Sequence, residues 1–502
     1  MSDNNSCNLL KAKIVPLKKL LLSSEDGLYS KLRIPFYQRP YVWAKKQLSL
    51  LISDIYNAYI DNKSAYRIGT AILHEHNDEQ DNAVLDIVDG QQRITTLMLI
   101  LKTLDSNNTV LGNNLTFNSL SKANILRNIV DINSLIKDRI GDKAAFKEFL
   151  LSKCTILLLT ISGEDKIDEV FQLFDSQNGR GKELEHYNLL KAYHIDAMHD
   201  DSKELKIFCD ERWESSARYF PKQNERGYKG KCIDLLAQLL YEQLYRGRVW
   251  GRGENAGIFS RDNLEEFMGS DLKEIKHPYQ FRLIPQIICL NIKNETDILI
   301  NPFIALDQEL LNGIFFFNYV KKYQELYKNL FLTDSKKKSH EDSVQTTCTG
   351  FSDFNIFYGK NCLYPGSSRR GDSYLRELYK TVVLYAIDRF GINDVVHDKV
   401  HEILYAAVYR IRLTQSSVYY ESAMKYKEKL GNLDLFKLIK LSSDSLHCAA
   451  SIKDRLSALG EINIVFRKND VEAIDKSCDD SQVNPENIAI RNMRDNINGW
   501  LK

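Results

Sequence analysis

The chain has 502 residues, of which 43% are hydrophobic and 27% charged, and its mean hydropathy is −0.35. Lys and Arg total 68 and Asp and Glu total 67, which gives a formal net charge of +1. This balance excludes a strongly basic nucleic-acid binder, although it allows a local basic patch.

The length predicts roughly two to four domains. No apolar run approaches the ~18 residues of a membrane helix, and the N-terminus has no apolar signal core. The nine cysteines are scattered and form no CxxC pair, which is typical of reduced thiols and not of a disulfide framework. We therefore expect a cytoplasmic protein with no membrane contact.

The first 200 residues mix strand and helix patterns. Strands are predicted at residues 32–37, 66–73, 83–88 and 154–161, and helices at 47–59, 93–104 and about 165–175. From about residue 187 the pattern is mostly helical, with polar, glycine-bearing interruptions at 246–257 and 333–372 that predict loops. We expect an α+β fold divided into domains at residues 1–200, 201–365 and 366–502.

The sequence DIVDGQQRITTL carries the strongest functional signal. A strand ends at Asp89, and Gly90 can take a turn conformation that other residues avoid. The next residues, Gln91, Gln92 and Arg93, begin a helix, where unpaired N–H groups and the helix dipole suit phosphate. Arg93 could bind phosphate, Asp89 could hold a metal or orient water, and the glutamines could read a base or place a nucleophilic water. The structural alternative is a capped turn whose amides satisfy nearby backbone.

Two further stretches carry weaker signals. In RIPFYQRPYVW a strand leads into a Gln-Arg-Pro turn, where Arg39 could bind phosphate or carboxylate and Tyr37, Tyr41 or Trp43 could stack on a ligand. The alternative is a turn anchored in the core, with Arg39 in an ion pair. Later, the turn NGRG could present N–H groups and a guanidinium to an anion, or could simply end a helix.

Together with RIGTAIL and FDSQNGRGKELEHYNLLKA, these stretches resemble the N-terminal module of GmrSD-type proteins, also called domain of unknown function 262. The resemblance covers roughly residues 14–200. It implies a ParB/sulfiredoxin-like core, nucleotide binding or hydrolysis at the DGQQR pocket, and a place in bacterial defence or restriction systems against phage DNA.

The resemblance leads to a first functional hypothesis, a nucleotide-dependent and DNA-directed defence protein that uses a nucleoside triphosphate and Mg²⁺. The expected catalytic residues are Asp89, Gln91, Gln92 and Arg93. The expected nucleotide-binding residues are Gln38, Arg39, Gly90, Thr95, Asn178, Arg180, Gly181 and Lys191. The expected partners are DNA and either a nuclease subunit or a second copy of the chain. The second hypothesis is a recognition or assembly subunit that binds a nucleotide or modified DNA without turnover.

Many GmrSD-type relatives also carry a nuclease domain with a histidine–asparagine–histidine metal site. The nearest match lies at residues 444–470, with His447 and Asn469, but the proline after the histidine is missing and Glu461 replaces the family's asparagine. A degenerate remnant is therefore favoured over an active nuclease, which ranks as the last alternative.

Other charged and histidine-bearing stretches give weaker predictions. Arg246, Arg248 and Arg252 surround Trp250, as cations and aromatics do in nucleic-acid grooves, so we predict DNA contact there, with a solvated surface as the alternative. The cations Lys336, Lys337, Lys338, Arg369 and Arg370 add charge in the second interruption. His397 and His401 have the i, i+4 spacing of metal ligands, yet an exposed helix face is favoured. The pair His74 and His76 is predicted to lie at the surface.

Overall fold

The computed structural model describes residues 10–22, 27–35, 38–77, 82–105, 115, 117, 119–163, 185–198, 203–220, 232–270, 305–333, 349–415, 417–460 and 485–501. The chain divides into two compact units. The sheet unit comprises residues 1–192 and 201–214, and the helical unit comprises residues 193–200 and 215–502. The predicted helix at 165–175 lies outside the described residues.

The sheet unit is built on a five-stranded mixed sheet in the order β1-β5-β3-β4-β2. Its strands are β1 Leu10–Pro16, β2 Leu32–Arg33, β3 Tyr66–Asn77, β4 Ala83–Asp89 and β5 Cys154–Ser162. β3 runs parallel to β5 and β2 parallel to β4, whereas the other neighbours are antiparallel. The predicted strands are present, although the strand expected at 32–37 is only two residues long.

Seven helices begin in the described part of this unit: α1 Leu17–Leu21, α2 Lys45–Ile60, α3 Gln91–Leu104, α4 Ser119–Arg139, α5 Lys143–Ser152, α6 His186–Asp196 and α7 Lys203–Ala217. One face of the sheet packs on a large aliphatic core that includes Leu48, Ile52 and Ile55 at helical spacing in α2. The opposite face packs a smaller cluster with Ile72 and Val88. Because both faces are covered, consecutive residues are buried in the central strands, as at residues 71–74 of β3 and 85–88 of β4.

The turn from β4 into α3 depends on Gly90. Its φ of 91° and ψ of 0° lie in the left-handed region that favours glycine. A Cβ at this position would lie 2.9 Å from the Cβ of Ala71 on the neighbouring strand, so a side chain would collide with the sheet. The chain therefore leaves β4 and enters α3 within one residue, which confirms the predicted strand–turn–helix.

The helical unit contains no strand longer than an isolated bridge among the residues that the structure describes. Its α-helices are α8 Leu235–Ala237, α9 Tyr245–Gly251, α10 Ile314–Tyr327, α11 Thr349–Asn361, α12 Arg370–Phe390, α13 Ile392–His397, α14 Val400–Thr414, α15 Tyr420–Met424, α16 Tyr426–Lys429, α17 Leu435–Leu441, α18 Ser445–Ala458 and α19 Pro485–Leu501. Two π-helical segments, Gln238–Leu244 and Lys328–Leu332, and the 3₁₀ helix Arg261–Phe267 connect to these helices. An α+β fold with a mainly helical C-terminal half is thus confirmed.

Helices α12 and α14 form the centre of this unit, and tyrosines fill much of the space between them. Tyr379, Tyr405 and Tyr409 are at most 1% exposed, and the last two rings stack with centroids 4.2 Å apart. Among the described helices of the whole chain, none combines the length and apolar character that a membrane span requires.

Both predicted loops in the helical half are partly wrong. The chain remains helical through Gly251 in the first, and the second contains α11 and the start of α12. Polar residues misled the prediction in the first case, because Arg246 and Arg248 are buried in the helix and paired with acidic residues. Charged residues with partners can occupy a buried helix as well as a solvated loop.

Candidate functional site

Gln92 connects the start of α3 to the segment that follows the Gln-Arg-Pro turn. Its Oε1 accepts hydrogen bonds from the backbone N–H of Val42, at 2.8 Å, and of Trp43, at 3.2 Å. Its Nε2 donates to the carbonyl of Pro40 at 3.0 Å. The two sequence motifs are therefore joined side chain to backbone, and the amide of Gln92 is occupied in holding them.

Tyr41 anchors the same segment in the core. The residue is fully buried, its hydroxyl lies 2.9 Å from Oγ1 of Thr96, and Asn128 donates to it at 3.1 Å. Asn124 donates to its carbonyl, and its N–H donates to Ser121. Tyr41 thus has a structural position and is not a surface on which a ligand stacks.

Beside this segment lies a small cavity of about 40 Å³ that opens to solvent. It lies entirely within the sheet unit. Its lining residues are Ile34, Pro35, Gln38, Arg39, Pro40, Gln91, Phe117, Ser121, Ile207 and Asp210. The cavity therefore brings together the Gln-Arg-Pro turn, the first residue of α3, and helix α7.

Three features give this cavity a polar character. Arg39 is half-buried on its lining, and Gln38 is held in place because its Nε2 donates to the carbonyl of Val88 at 2.5 Å. Gln91 stands at the N-terminus of α3, where the N-cap residue is Gly90, which has no side chain to cap the helix. An uncapped helix N-terminus beside an arginine favours an anion.

Lys191 is fully buried next to this lining and carries two ion pairs. Its Nζ lies 2.8 Å from Oδ1 of Asp210 and 2.6 Å from Oε1 of Glu214, which is one turn further along α7. Burial lowers the pKa of Lys191, but Glu214 and Asp210 more than offset this effect and raise the pKa above its usual range. The lysine is therefore charged, and it fixes Asp210 at the edge of the cavity.

The sequence did not single out Asp210 and Glu214. Their signal is the i, i+4 spacing of two acids within the helical segment CDERWE, which places both on the same face of α7. The spacing alone does not indicate burial, because acidic pairs of this kind are common on exposed helices.

Arg93 and Asp89 lie apart from the cavity. Arg93 donates from Nη1 to the carbonyl of Thr70 at 3.0 Å, and its guanidinium covers Gly69, where a Cβ would come within 2.7 Å of it. Within the described part of the chain, the lining includes neither Arg93 nor Asp89. Thr95 is 1% exposed within α3. Arg93 therefore packs on β3 over Gly69, whose φ of 146° lies in a region that favours glycine.

Some predicted site residues cannot be placed. Tyr37, Asn178, Arg180 and Gly181 lie outside the described residues, as do Lys336, Lys337, Lys338, Glu461 and Asn469.

Two of the three arginines predicted to contact DNA are buried in the helical unit, and the third is exposed. Arg246 is 3% exposed and pairs with Glu242, while Arg248 is 6% exposed and lies 2.6 Å from Glu266. Arg252 is more exposed, but it makes a two-pronged ion pair with the same Glu266 at 2.7 and 2.6 Å. This arrangement does not support DNA contact at these residues, because their positive charge is already neutralised by carboxylates.

The histidine predictions need correction. His397 is the last residue of α13. Lys399, with a φ of 58°, interrupts the helical backbone before α14 begins, so His397 and His401 do not share one helix face. His401 is also buried, and not on an exposed face.

His447 lies exposed in the first turn of α18, and no metal-binding group of the described residues includes it. His74, expected at the surface, is 4% exposed.

Comparison with known families agrees with the two-part architecture. Residues 17–195 match the model of the GmrSD restriction endonuclease N-terminal domain. Residues 205–463, slightly more than half of the chain, match a family of unknown function, DUF7834. No curated protein matches the chain. The chain therefore belongs to the family DUF7834, and its N-terminal part is similar to the N-terminal domain of GmrSD restriction endonucleases.

Proposed function

We propose that the cavity of the sheet unit binds and hydrolyses a nucleoside triphosphate, and that this step controls a DNA-directed restriction activity. The observation that carries the proposal is the meeting of Arg39 and Gln91 on one lining, at the uncapped N-terminus of a 14-residue helix. A cation and free helix N–H groups are the elements that recognise phosphate.

The residues near the cavity divide into two roles. Arg39 and the first N–H groups of α3 bind the phosphates, and Gln91 orients the attacking water. Gln92 and Arg93 are positioning residues, because the first holds the segment after Pro40 and the second holds α3 against β3. In phosphoryl transfer the protein mainly positions groups and offsets charge, so both roles contribute to the rate.

Mg²⁺ fits the donor set of this cavity. Oxygen ligands suit Mg²⁺, which is usually held by one or two carboxylates together with substrate phosphates. Asp210 supplies a carboxylate on the lining, and Gln38, Gln91 and Ser121 supply neutral oxygens. When bound, the ion would neutralise charge on the phosphate oxygens. Asp210 therefore replaces Asp89 as the residue proposed to hold the metal.

A second candidate function is nucleotide binding without turnover, in a recognition or assembly subunit. It is favoured by the hydrogen bonds of Gln92 and Arg93, which are directed to backbone groups and not to the cavity. In either case the partners we propose are DNA and a nuclease subunit or a second copy of the chain.

The test measures equilibrium binding and phosphate release for each nucleoside triphosphate, using the purified full chain with Mg²⁺, with and without DNA. Arg39→Ala should weaken binding by about tenfold or more, because a charge-assisted hydrogen bond to phosphate is lost. Gln91→Ala should lower phosphate release by about 100-fold with little effect on binding. Arg494→Ala, which removes an exposed arginine of the helical unit, serves as the matched control.

The outcomes separate the two candidates. Binding without phosphate release would select the recognition subunit. If no nucleotide binds, or if Arg39→Ala binds as tightly as the unchanged chain, the cavity is not a nucleotide site.

A further inference from the structure

A second polar cluster lies on the face of the sheet that carries Ile72 and Val88. Side chains alternate along a strand, so His74 and His76 point to this same face as Ile72. Asp86 is the register partner of His74 on β4, and it shares the face of Val88 for the same reason. One potential ligand atom from each of the three residues lies within 4.8 Å of the others.

Backbone carbonyls fix the orientation of both histidine rings. Nε2 of His74 lies 2.7 Å from the carbonyl oxygen of Gly163, and Nδ1 of His76 lies 2.9 Å from that of Asn77. A carbonyl oxygen only accepts, so these nitrogens carry the protons. Nδ1 of His74 and Nε2 of His76 are then the candidate ligand atoms. Nε2 of His76 lies 3.0 Å from Oδ2 of Asp86, so a bound metal would displace any proton shared between these two atoms. Metal-bound histidines are held by the same kind of hydrogen bond from their other nitrogen.

At present Arg33 supplies the positive charge of the cluster. Its Nε donates to Oδ1 of Asp86 at 2.6 Å and its Nη2 to Oδ2 at 3.0 Å. The same Nη2 lies 2.9 Å from Nε2 of His76. A carboxylate as buried as Asp86 requires such a partner. However, the side chain of Arg33 is 43% exposed. It can therefore move into solvent without leaving a fully buried environment.

From this arrangement we infer that His74, His76 and Asp86 form a binding site for a late first-row divalent metal ion such as Zn²⁺, and that Arg33 competes with the metal for Asp86. Two imidazoles and one carboxylate are a donor set that zinc accepts, leaving a fourth position for water.

The required adjustment is small. Ligand atoms around a tetrahedral zinc are roughly 3.4 Å apart, as follows from zinc–ligand distances of about 2.0–2.1 Å. Nε2 of His76 and Oδ2 of Asp86 are already 3.0 Å apart, and the largest separation in the group is below 4.8 Å. Small side-chain shifts that keep the carbonyl hydrogen bonds of both rings can therefore close the site once Arg33 withdraws.

The experiment uses the full chain after treatment with EDTA and under reducing conditions. Titration calorimetry with Zn²⁺ should show one equivalent bound, and Co²⁺ should give the visible spectrum of nitrogen and oxygen ligands. His76→Ala should weaken Zn²⁺ binding at least about 100-fold, and Asp86→Asn should weaken it clearly. Arg33→Met should strengthen binding about tenfold, because the competing cation is gone. His397→Ala, which removes an 85% exposed histidine, should leave binding unchanged.

Several results would overturn the inference. One is that neither the unchanged chain nor Arg33→Met binds Zn²⁺ at millimolar concentration, and another is that His76→Ala binds as well as the unchanged chain. A thiolate-type cobalt spectrum would place the metal on cysteines instead. If His76→Ala fails to fold, Arg33→Met still decides, since equal affinity in this variant would mean that Arg33 does not occupy the metal's place.

Discussion

The buried amides beside the cavity of the sheet unit and the buried charges of the helical unit are satisfied in different ways. In the sheet unit, amides such as Gln92 and Asn128 bind backbone groups of one irregular segment, which borders an open cavity. In the helical unit, buried charges pair with each other, as Lys322 does with Asp388 and Arg248 with Glu266. The amides fix the backbone that borders the cavity, whereas the paired charges neutralise each other inside the helical unit.

This difference explains why the arginines of the helical unit are poor candidates for ligand binding although their sequence looked favourable. A charge that is buried and paired has lost its hydration, and a ligand would have to compete with a carboxylate already in contact. The cavity of the sheet unit has no such restriction at Gln91, which is 4% exposed yet lies on its lining. Three predictions, ordered by expected effect, test the comparison.

The largest effect is expected for Asp388→Ala in the helical unit. Asp388 accepts hydrogen bonds at 2.7 Å each from Lys322, from the hydroxyl of Tyr323 and from the N–H of Leu306. The change leaves a buried ammonium without its partner, so the free energy of unfolding should fall by about 4 kcal/mol. Denaturant unfolding measures this loss. Asp495→Ala is the matched control, because its pair with Arg494 is exposed and contributes at most about 0.5 kcal/mol. Equal effects from the two changes would contradict the prediction.

The second effect is a pH dependence that originates at His401. Burial lowers its pKa to about 4, and the nearest charged groups that act on it are Lys399 and Asp353. In the unfolded chain its pKa is near 6.5, so between pH 6.5 and 4 only the unfolded chain takes up the proton. The free energy of unfolding should therefore fall by about 3 kcal/mol as the pH falls through this window.

Hydrogen exchange of α14 peptides at pH 7 and pH 4.5 measures this pH dependence. His401→Phe should reduce the difference between the two pH values, since phenylalanine suits the neighbouring rings of Phe354 and Phe357 and takes up no proton. His397→Ala should not change it. A His401→Phe protein with the acid sensitivity of the unchanged chain would show that other groups cause it.

The smallest effect is expected for Gln92→Ala in the sheet unit. Its amide holds three backbone groups, of which the N–H of Val42 is only part-buried, so water can replace some of the lost hydrogen bonds. The free energy of unfolding should fall by about 2 kcal/mol. The exposed Gln47, which accepts one hydrogen bond from Ala44, provides the control Gln47→Ala with a change below about 0.5 kcal/mol. If Gln92→Ala lowered the free energy of unfolding more than Asp388→Ala does, the expected order of the two effects would be reversed.

The sequence predicted the elements whose signal is local. The passage from β4 through Gly90 into α3 could be predicted because a buried strand, a glycine and a helical apolar pattern follow each other directly. The residue patterns directed attention to Arg39 and Gln91, which share the cavity lining, and the family resemblance added Lys191, which binds a residue on it.

Contacts between distant segments could not be predicted. Asp210 reaches the cavity from a helix more than 100 residues after Gln91, and no local pattern marks it as buried. His74 was predicted to be exposed because polar residues surround it in the sequence, yet the pairing of β3 with β4 and β5 buries it. Arg248 was predicted to lie in a loop, yet it is buried in α9, because its carboxylate partner Glu266 follows in a separate element.

The close approach of Gly90 to Ala71 has an evolutionary consequence. The turn that opens α3 leaves 2.9 Å between Ala71 and any Cβ at position 90, so the two positions share one small volume. The size of the residue at either position limits which substitutions the other position tolerates. A bulkier residue at position 71 would push the first turn of α3 away from the sheet. A small residue opposite this turn is therefore a steric requirement for the direct passage from β4 into α3.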